Sequence, residues 1–269
     1  MADLRRRLTT GQVLYGTFLG LGSTMAAEAC AIAGFDWLLV DLEHGGGDES
    51  TLAGQQLAAD AHRVPMLVRV ESTDRIRAGR VLDLGAEGVM FPRLESAAEA
   101  EQAVRHLRYP GDGDRGVATY NRACGFGLHP EALTTANERV VGVIQIENRR
   151  AVERVDDIAA VPGVDVVFIG PRDLSHDLGV PGDTTAPVFQ DAVRRVRAAA
   201  DRAGIAAGIL TPDAATARQY AEEGFRFIGI SSDAAMLANA GRQVVDAARA
   251  GADDRTGIPG VGNEHGIRR

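Results

Sequence analysis

Two carboxylates and a histidine follow an apolar segment in the first fifth of the chain. Asp36 to Gly45 reads DWLLVDLEHG, and its apolar residues fit a strand that is buried on both faces. Alternation along the strand turns Asp41 and Glu43 to the same side, with His44 at the start of the loop. A carboxylate near an imidazole can poise the histidine as a base near neutral pH. The spacing therefore predicts general-base chemistry where this strand ends.

Three other apolar segments become polar at the same end. VPMLVRV places Arg69 there, VVGVIQIE places Gln145 and Glu147, and VDVVFIGPRD places Arg172 and Asp173. Chance would scatter polar residues over both ends of the strands, whereas active sites of parallel α/β folds collect at the carboxyl ends. We therefore expect these side chains to meet at one edge of a sheet.

Glu147 and Asp173 follow strands that are successive in the chain. Adjacent strands lie about 4.8 Å apart, so the two carboxylates could share one hard divalent cation, with water and substrate oxygens as further ligands. The alternative is that they form ordinary ion pairs with Arg149, Arg150 or Arg172. The residues alone leave both interpretations open.

Arg69 and Asp83 each allow a structural and a functional interpretation. An arginine buried without a partner is costly, so Arg69 either pairs with Asp41 or Glu43, or stabilises an oxyanion that forms during turnover. Asp83 lies near the end of a predicted helix, in LDLGAEG. A helix cap or a surface charge is the default interpretation there.

The order of elements predicts the fold. Eight candidate strands alternate with helices, and strand starts recur mostly every 20 to 30 residues of the 269. This alternation is typical of an α/β fold of the (β/α)8 TIM-barrel type, for which about 250 residues are usual. A doubly wound open sheet is the alternative, but the residues 20–23, GLGS, do not extend to the G-x-G-x-x-G expected after its first strand.

We predict a single barrel domain over residues 1–250 and a flexible tail over residues 251–269, which are rich in glycine and charge. Two segments interrupt the alternation. Residues 108–130 contain five glycines and two prolines, and their length favours a functional loop. Residues 171–187 form a second irregular loop, and one helix is predicted over residues 149–160 between them.

Composition limits the classes of partner. The net charge of -8 and the pI near 5.3 argue against nucleic acid or an anionic membrane as the main partner. Two cysteines, Cys30 and Cys124, provide neither a disulfide framework nor metal-ligand spacing. The amino terminus has no signal-peptide pattern, and no window reaches about 18 consecutive apolar residues. We therefore expect a cytoplasmic protein that acts on a small molecule.

Several segments together resemble one known family. They are FDWLLVDLEHG, LVRV, LDLGAEGVMFPRLESAAEAEQAV, RYPGDGDRGV, VIQIENRRAV and GVDVVFIGPRDLSHDLG. The combination is similar to the HpcH/HpaI aldolases, which are class II, metal-dependent pyruvate aldolases, and the resemblance spans roughly residues 11–245. It implies a (β/α)8 barrel, usually assembled as a homohexamer.

The resemblance also implies the roles of individual residues. Glu147 and Asp173 would bind Mg²⁺, Mn²⁺ or Co²⁺, on which pyruvate chelates. His44 would be the base and Arg69 would stabilise the transition state. Asp83 would raise the basicity of His44, and Asp41 would belong to the catalytic group at the end of the second strand. Gln145 and the backbone amides around Arg172 and Asp173 would bind the substrate.

The implied reaction is reversible cleavage of a 4-hydroxy-2-oxo acid, such as 4-hydroxy-2-oxoheptanedioate or 2-dehydro-3-deoxyglucarate, to pyruvate and an aldehyde. The chain contains no lysine, which excludes a Schiff-base mechanism of class I aldolases. A lyase for CoA thioesters of the citryl or malyl type is the first alternative, and a barrel that binds a metal and a keto acid without turnover is the second. An acidic chain argues against a CoA-phosphate surface, and a pure binder has no use for a base.

Two departures from the family pattern concern the aldehyde half of the substrate. The family often has alanine where this chain has Arg172, and a serine-rich stretch where this chain has VATYNRACGFG. Leu210, at the end of the seventh strand, is also expected to shape that pocket. These differences bear on the choice of substrate more than on the class of reaction.

Overall fold

Eight parallel strands close into a barrel in chain order. The computed structural model describes residues 4–253. The sequence predicts this architecture, and the closed barrel with its alternating helices confirms it. The strands are β1 (Leu14–Leu19), β2 (Trp37–Asp41), β3 (Met66–Arg69), β4 (Gly88–Phe91), β5 (Val141–Ile146), β6 (Val166–Ile169), β7 (Ala206–Thr211) and β8 (Phe227–Ser232).

Helices connect the strands and cover the amino-terminal end. Asp48, Asp74, Ser96 and Asp213 begin helices by accepting hydrogen bonds from backbone amides of the first turn. The helices are α1 (Leu4–Thr9), α2 (Thr24–Ile32), α3 (Glu49–Ala61), α4 (Arg75–Asp83), α5 (Ala97–Arg105), α6 (Ala132–Arg139), α7 (Arg149–Glu153), α8 (Val155–Ala159), α9 (Pro171–Asp177), α10 (Pro187–Ala203), α11 (Ala214–Glu222) and α12 (Asp233–Asp253), with a short 3-10 helix at Arg122–Gly127.

The structure differs from the sequence prediction in three connections. One helix was expected over residues 149–160, but the chain breaks at Arg154 into α7 and α8. The predicted irregular loop 171–187 begins with α9, because Pro171 has the backbone angle that a first helical residue needs and lacks only an amide that would be unpaired there. The long loop 108–130 contains the 3-10 helix.

Of the described residues, 4–233 belong to one compact unit and 234–253 to another. Helix α12 continues to Asp253, three residues into the segment predicted as a flexible tail, and the rest of that tail lies outside the described residues. The predicted domain limits stay a prediction. Within residues 4–253, no helix combines the length and the apolar character needed to cross a membrane.

Aromatic side chains fill the barrel interior. Trp37 stacks on Phe227 with ring centroids 4.0 Å apart, and Phe168 lies edge-on to Phe227 at 6.1 Å. Phe18 contacts Phe168 at 6.0 Å. All four rings are at most 5% exposed. This packed interior closes the barrel, so the polar residues at the strand ends line a site that opens toward one edge only.

Candidate active site

The register of β2 and β3 brings a carboxylate and an arginine side by side. Asp41 is the direct neighbour of Arg69 in the ladder. Arg69 donates from Nε to Asp41 Oδ1 at 2.9 Å and from Nη2 to Oδ2 at 2.6 Å. Its Nη1 lies 3.1 Å from Glu43 Oε2. The sequence offered pairing with Asp41 or with Glu43, and the structure shows both.

Asp41 is an acceptor rather than a base. Burial alone would raise its pKa, but the hydrogen bonds and charge of Arg69, with the backbone amides of His44 and Glu43, hold the pKa below its usual value. Arg69 has a raised pKa in return, because its carboxylate neighbours outweigh its burial. The guanidinium also lies over the ring of Phe18, with Cζ 5.4 Å from the centroid. Arg69 is therefore a fixed, permanent cation in the site.

The turn after β2 holds the candidate base at the mouth of the barrel. Asp41 Oδ1 accepts hydrogen bonds from the amides of Glu43 at 3.1 Å and His44 at 3.3 Å. A side chain at Gly45 would overlap the carbonyl oxygen of Asp41, so the tight turn requires glycine. The side chain of His44 is 65% exposed, and its Nε2 lies 3.9 Å from Glu43 Oε2. The imidazole is therefore accessible to a substrate.

The carboxyl end of β5 supplies two buried polar side chains, one of which has an oxygen atom without a partner. Gln145 is 3% exposed and Glu147 is 4% exposed, and Gln145 Oε1 has no hydrogen-bond partner among the described residues. A Cβ atom at Gly170 would lie 2.5 Å from Gln145 Nε2 and 2.7 Å from Glu147 Oε2. Glycine at this position thus lets both side chains pack directly against the backbone at the end of β6, and a polar ligand that reaches Gln145 Oε1 would satisfy it.

Burial and, after it, the charges of Asp173 and Glu43 raise the pKa of Glu147 to about 7, because together they outweigh the hydrogen bond from the amide of Arg93 and the charge of Arg69. That amide donates to Glu147 Oε1 at 2.8 Å. Among the described residues, neither Glu147 nor Asp173 forms an ion pair with Arg149, Arg150 or Arg172, and Arg150 pairs instead with Glu95. A divalent cation would relieve this repulsion.

The donor set fits a hard cation with an incomplete shell of protein ligands. No group of three or more histidine, cysteine, aspartate or glutamate side chains within residues 4–253 is arranged to hold a metal. Two carboxylates with water and substrate oxygens are the usual ligands of Mg²⁺ and Mn²⁺ in such sites. Glu147 and Asp173 fit this description.

Three further predicted residues lie at the same edge. Arg172 and Asp173 are both exposed in the first turn of α9, where backbone amides without helical partners are available to an anionic substrate group. Leu210 is half-buried at the end of β7 and packs against the barrel core. The structure thus places all predicted residues except one at the carboxyl edge.

Asp83 is the exception. It ends α4, which runs back from the carboxyl end of β3 toward the start of β4, and nine helical residues span about 13 Å. Its carboxylate pairs with Arg115, from Nη2 to Oδ1, at 2.7 Å. Asp83 therefore lies near the amino-terminal edge of the barrel, away from the His44 of its own chain.

Three contributors were not among the predicted site residues. Glu43 lies in the predicted stretch, and its place beside two predicted residues was the available signal. The amide of Arg93 donates to Glu147 from a residue with a positive φ of 60°. An arginine in the sequence gives no indication of such a backbone angle. Phe18 beneath Arg69 is a contact between strands that only the closed barrel creates.

Closed barrels of parallel strands work as enzymes at the carboxyl ends of those strands, and this edge carries the unpaired groups described above. The fold and the site together define a (β/α)8 barrel with a candidate metal centre. The chain belongs to the family described as HpcH/HpaI aldolase/citrate lyase, whose model matches residues 14–240.

Individual relatives agree with this assignment. The hydroxypyruvate/pyruvate aldolase of Paraburkholderia phytofirmans is 44% identical over 252 residues, which are 91% of this chain and 97% of that protein. The 5-keto-4-deoxy-D-glucarate aldolase of Klebsiella pneumoniae is 37% identical over 240 residues, with 89% and 94% coverage. A crystal structure of a family member from Burkholderia cenocepacia superposes with a TM-score of 0.89 at 43% identity and covers 93% of this chain and 100% of that one.

Proposed function

We propose that this protein is a divalent-metal-dependent aldolase that reversibly cleaves a 4-hydroxy-2-oxo acid to pyruvate and an aldehyde. The observation that carries the proposal is the buried Glu147, with a pKa raised to about 7, next to a fixed cation and an exposed histidine. Two relatives at 44% and 37% identity are named as aldolases, which supports a carbon–carbon lyase.

The residues have complementary tasks in this reaction. His44 takes the proton of the 4-hydroxyl group while the bond between C3 and C4 breaks. Arg69 stabilises the negative charge that develops on the pyruvate enolate. Gln145 and the amides at the start of α9 orient the oxo-acid end. Glu147 and Asp173 would hold Mg²⁺, Mn²⁺ or Co²⁺, which when bound acts as a Lewis acid for the keto group.

The arrangement also bears on the oligomer. The resemblance gives Asp83 a role in raising the basicity of His44, yet Asp83 lies near the opposite edge of its own barrel. We therefore expect a homo-oligomer, a hexamer by resemblance, in which Asp83 of one copy approaches His44 of another. The groove that Asp83 lines also contains Tyr120 and Phe126, which are 81% and 73% exposed, and such apolar exposure is typical of a surface that another chain covers.

Composition and the named relatives bear on the location of the protein and on its substrate. Both cysteines are free thiols, which supports a reducing compartment such as the cytoplasm. The relatives named above act on hydroxypyruvate or pyruvate and on 5-keto-4-deoxy-D-glucarate, which supports a polar oxo acid as substrate. A CoA-thioester lyase remains the second candidate, because the family description includes citrate lyase.

The test is pyruvate release from a panel of 4-hydroxy-2-oxo acids, coupled to lactate dehydrogenase, with EDTA or with added Mn²⁺. We expect pyruvate only when the metal is present, and the rates will rank the aldehyde halves. Absence of pyruvate from every substrate, with metal demonstrably bound, would reject the aldolase and favour the CoA-thioester lyase.

A further inference from the structure

The carboxylate of Glu43 lies between the cation and the base of the site. Its Oε2 atom is 3.1 Å from Arg69 Nη1 and 3.9 Å from His44 Nε2. The side chain is only 14% exposed, although it follows the end of β2. One oxygen atom thus faces both functional groups.

The position of Glu43 is fixed from two sides. Its backbone amide is held by Asp41 Oδ1 at 3.1 Å, and its carboxylate is held by Arg69. Asp41 occupies the other edge of that guanidinium through Nε and Nη2. Arg69 therefore stays oriented by Asp41 even when Glu43 loses its charge, whereas Glu43 depends on Arg69.

His44 has no comparable restraint. Its ring forms no other ion pair or hydrogen bond in the part of the chain that the structure describes, and its side chain is 65% exposed. A histidine side chain has two rotatable bonds, so an exposed imidazole changes its orientation freely unless a neighbouring group holds it. Glu43 is the neighbour in reach.

We propose that Glu43 is a positioning residue that keeps the imidazole of His44 turned toward the substrate. Nε2 is the ring nitrogen that faces the carboxylate of Glu43. The anchor is a continuous series of contacts from Asp41 through Arg69 to Glu43 and His44. This inference rests on the proposed aldolase function.

Two reactions of the same site can distinguish whether Glu43 acts through His44 or through Arg69. Aldol cleavage needs a base for the 4-hydroxyl proton and stabilisation of the enolate. Decarboxylation of oxaloacetate breaks the bond between C3 and C4, releases CO₂ and leaves the electron pair in the same pyruvate enolate, which takes a proton at C3. No hydroxyl proton is removed, so decarboxylation needs Arg69 and the metal without the base.

The experiment compares Glu43→Gln, His44→Ala and the double variant in both reactions with Mn²⁺ present. The glutamine keeps the shape of Glu43 and removes its charge. We expect Glu43→Gln to slow cleavage roughly 10-fold to 100-fold, the usual effect of removing a group that orients a reacting side chain, with KM nearly unchanged. Decarboxylation should slow less than cleavage does, because it needs no base for a hydroxyl proton. In the His44→Ala background, Glu43→Gln has no further effect on cleavage.

Glu71→Gln is the matched control, because Glu71 follows β3 at the same edge and pairs with Arg77 at 2.5 Å. It leaves both reactions unchanged. Circular dichroism melts establish that each variant is folded, and if Glu43→Gln does not fold, Glu43→Ala takes its place in the same comparison. Cleavage at the parent rate, an equal loss in both reactions, or a further loss in the His44→Ala background would each overturn the role of Glu43. Failure of the parent protein to cleave any substrate would instead overturn the proposed function.

Discussion

The two edges of the barrel differ in how their carboxylates are paired with arginines. At the amino-terminal edge, carboxylates have arginine partners: Arg5 Nε lies 2.8 Å from Asp165, and Arg122 Nη2 lies 2.5 Å from Asp60. At the carboxyl edge, Glu147 has no arginine partner among the described residues, and neighbouring negative charges help to raise its pKa to about 7. The first edge pairs these carboxylates within the chain. The carboxyl edge also contains ion pairs, those of Asp41, Glu43, Glu71 and Glu95, but it leaves the buried Glu147 without a guanidinium partner among the described residues and so available to a ligand.

This difference separates stability from function within one fold. Paired charges at the amino-terminal edge tie α1 and α3 to the barrel and the neighbouring loops. A buried carboxylate without a cationic partner, as at Glu147, destabilises the folded chain until a cation binds. The raised pKa of Glu147 is thus the expected mark of a functional site rather than a defect in packing. Four predictions test this contrast, in order of decreasing effect.

Glu147→Ala should abolish metal-dependent release of pyruvate, because it removes one of two protein carboxylates from the candidate metal site. Isothermal titration with Mn²⁺ should show the corresponding loss of affinity. Glu95→Ala is the control, since Glu95 follows β4 at the same edge and pairs with Arg150. Retention of tight Mn²⁺ binding by Glu147→Ala would refute the ligand role.

His44→Ala should lower turnover by about 10² to 10⁴, the typical contribution of a general base. Asp83→Asn should also lower it if Asp83 supports His44 from another copy. When these two variants are co-expressed with different tags, about one quarter of the sites in randomly mixed symmetric oligomers combine an intact His44 with an intact Asp83. The activity of purified mixed oligomers measures this fraction.

Separately purified, unmixed variants provide the baseline for that measurement. Activity of the mixed oligomers at that baseline would place Asp83 outside the site of its neighbour. A monomer in light scattering would have the same meaning.

The metal-free protein should lose stability as the pH rises from 5 to 8. The pKa of Glu147 in the folded chain, about 7, lies above the usual 4.5, so its contribution is complete below pH 4.5 and is lost as the pH passes 7. The difference corresponds to about 3 kcal/mol. Asp41 has a lowered pKa, so its contribution is present at both pH values.

Urea unfolding in EDTA at pH 5 and pH 8 measures this change. Glu147→Gln should remove the part of the decline that Glu147 causes, and added Mn²⁺ should reverse it in the parent protein. An equal decline in Glu147→Gln would assign the effect to other groups.

Asp165→Asn should act on stability alone. Asp165 accepts from Arg5 Nε at 2.8 Å and from the amide of Gly142 at 2.9 Å, and weakening these bonds should cost about 1 to 2 kcal/mol. Chemical unfolding measures the loss, while kcat and KM for cleavage should not change. A fall in kcat with unchanged metal affinity would show that the two edges are coupled.

Much of the fold was predictable because local signals agreed with one another. Apolar strands, helix caps such as Asp48 and Ser96, and regular alternation all favour a (β/α)8 barrel. The misjudged connections depended on single residues. Arg154 interrupts a helical pattern although the pattern contains no proline or glycine at that point. Pro171 begins α9 in a segment whose prolines and glycines favour a loop.

The site was predictable to the extent that the carboxyl ends of parallel strands meet at one edge. This rule by itself places Asp41, Arg69 and Glu147 at one edge. It could not supply the double pairing of Arg69, which depends on the register between β2 and β3. It also gave no sign that Glu43 faces His44, because both follow the strand in a turn where alternation no longer applies.

The amino-acid sequence specifies which groups are available: a histidine, an arginine and carboxylates at strand ends, and no lysine for a Schiff base. Which of these groups are paired and which lack a charged partner depends on the folded barrel. It pairs Asp83 with Arg115 at 2.7 Å and buries Glu147 without a guanidinium partner among the described residues. This is because charge pairing and desolvation depend on distances across strands and helices, which closure of the barrel sets.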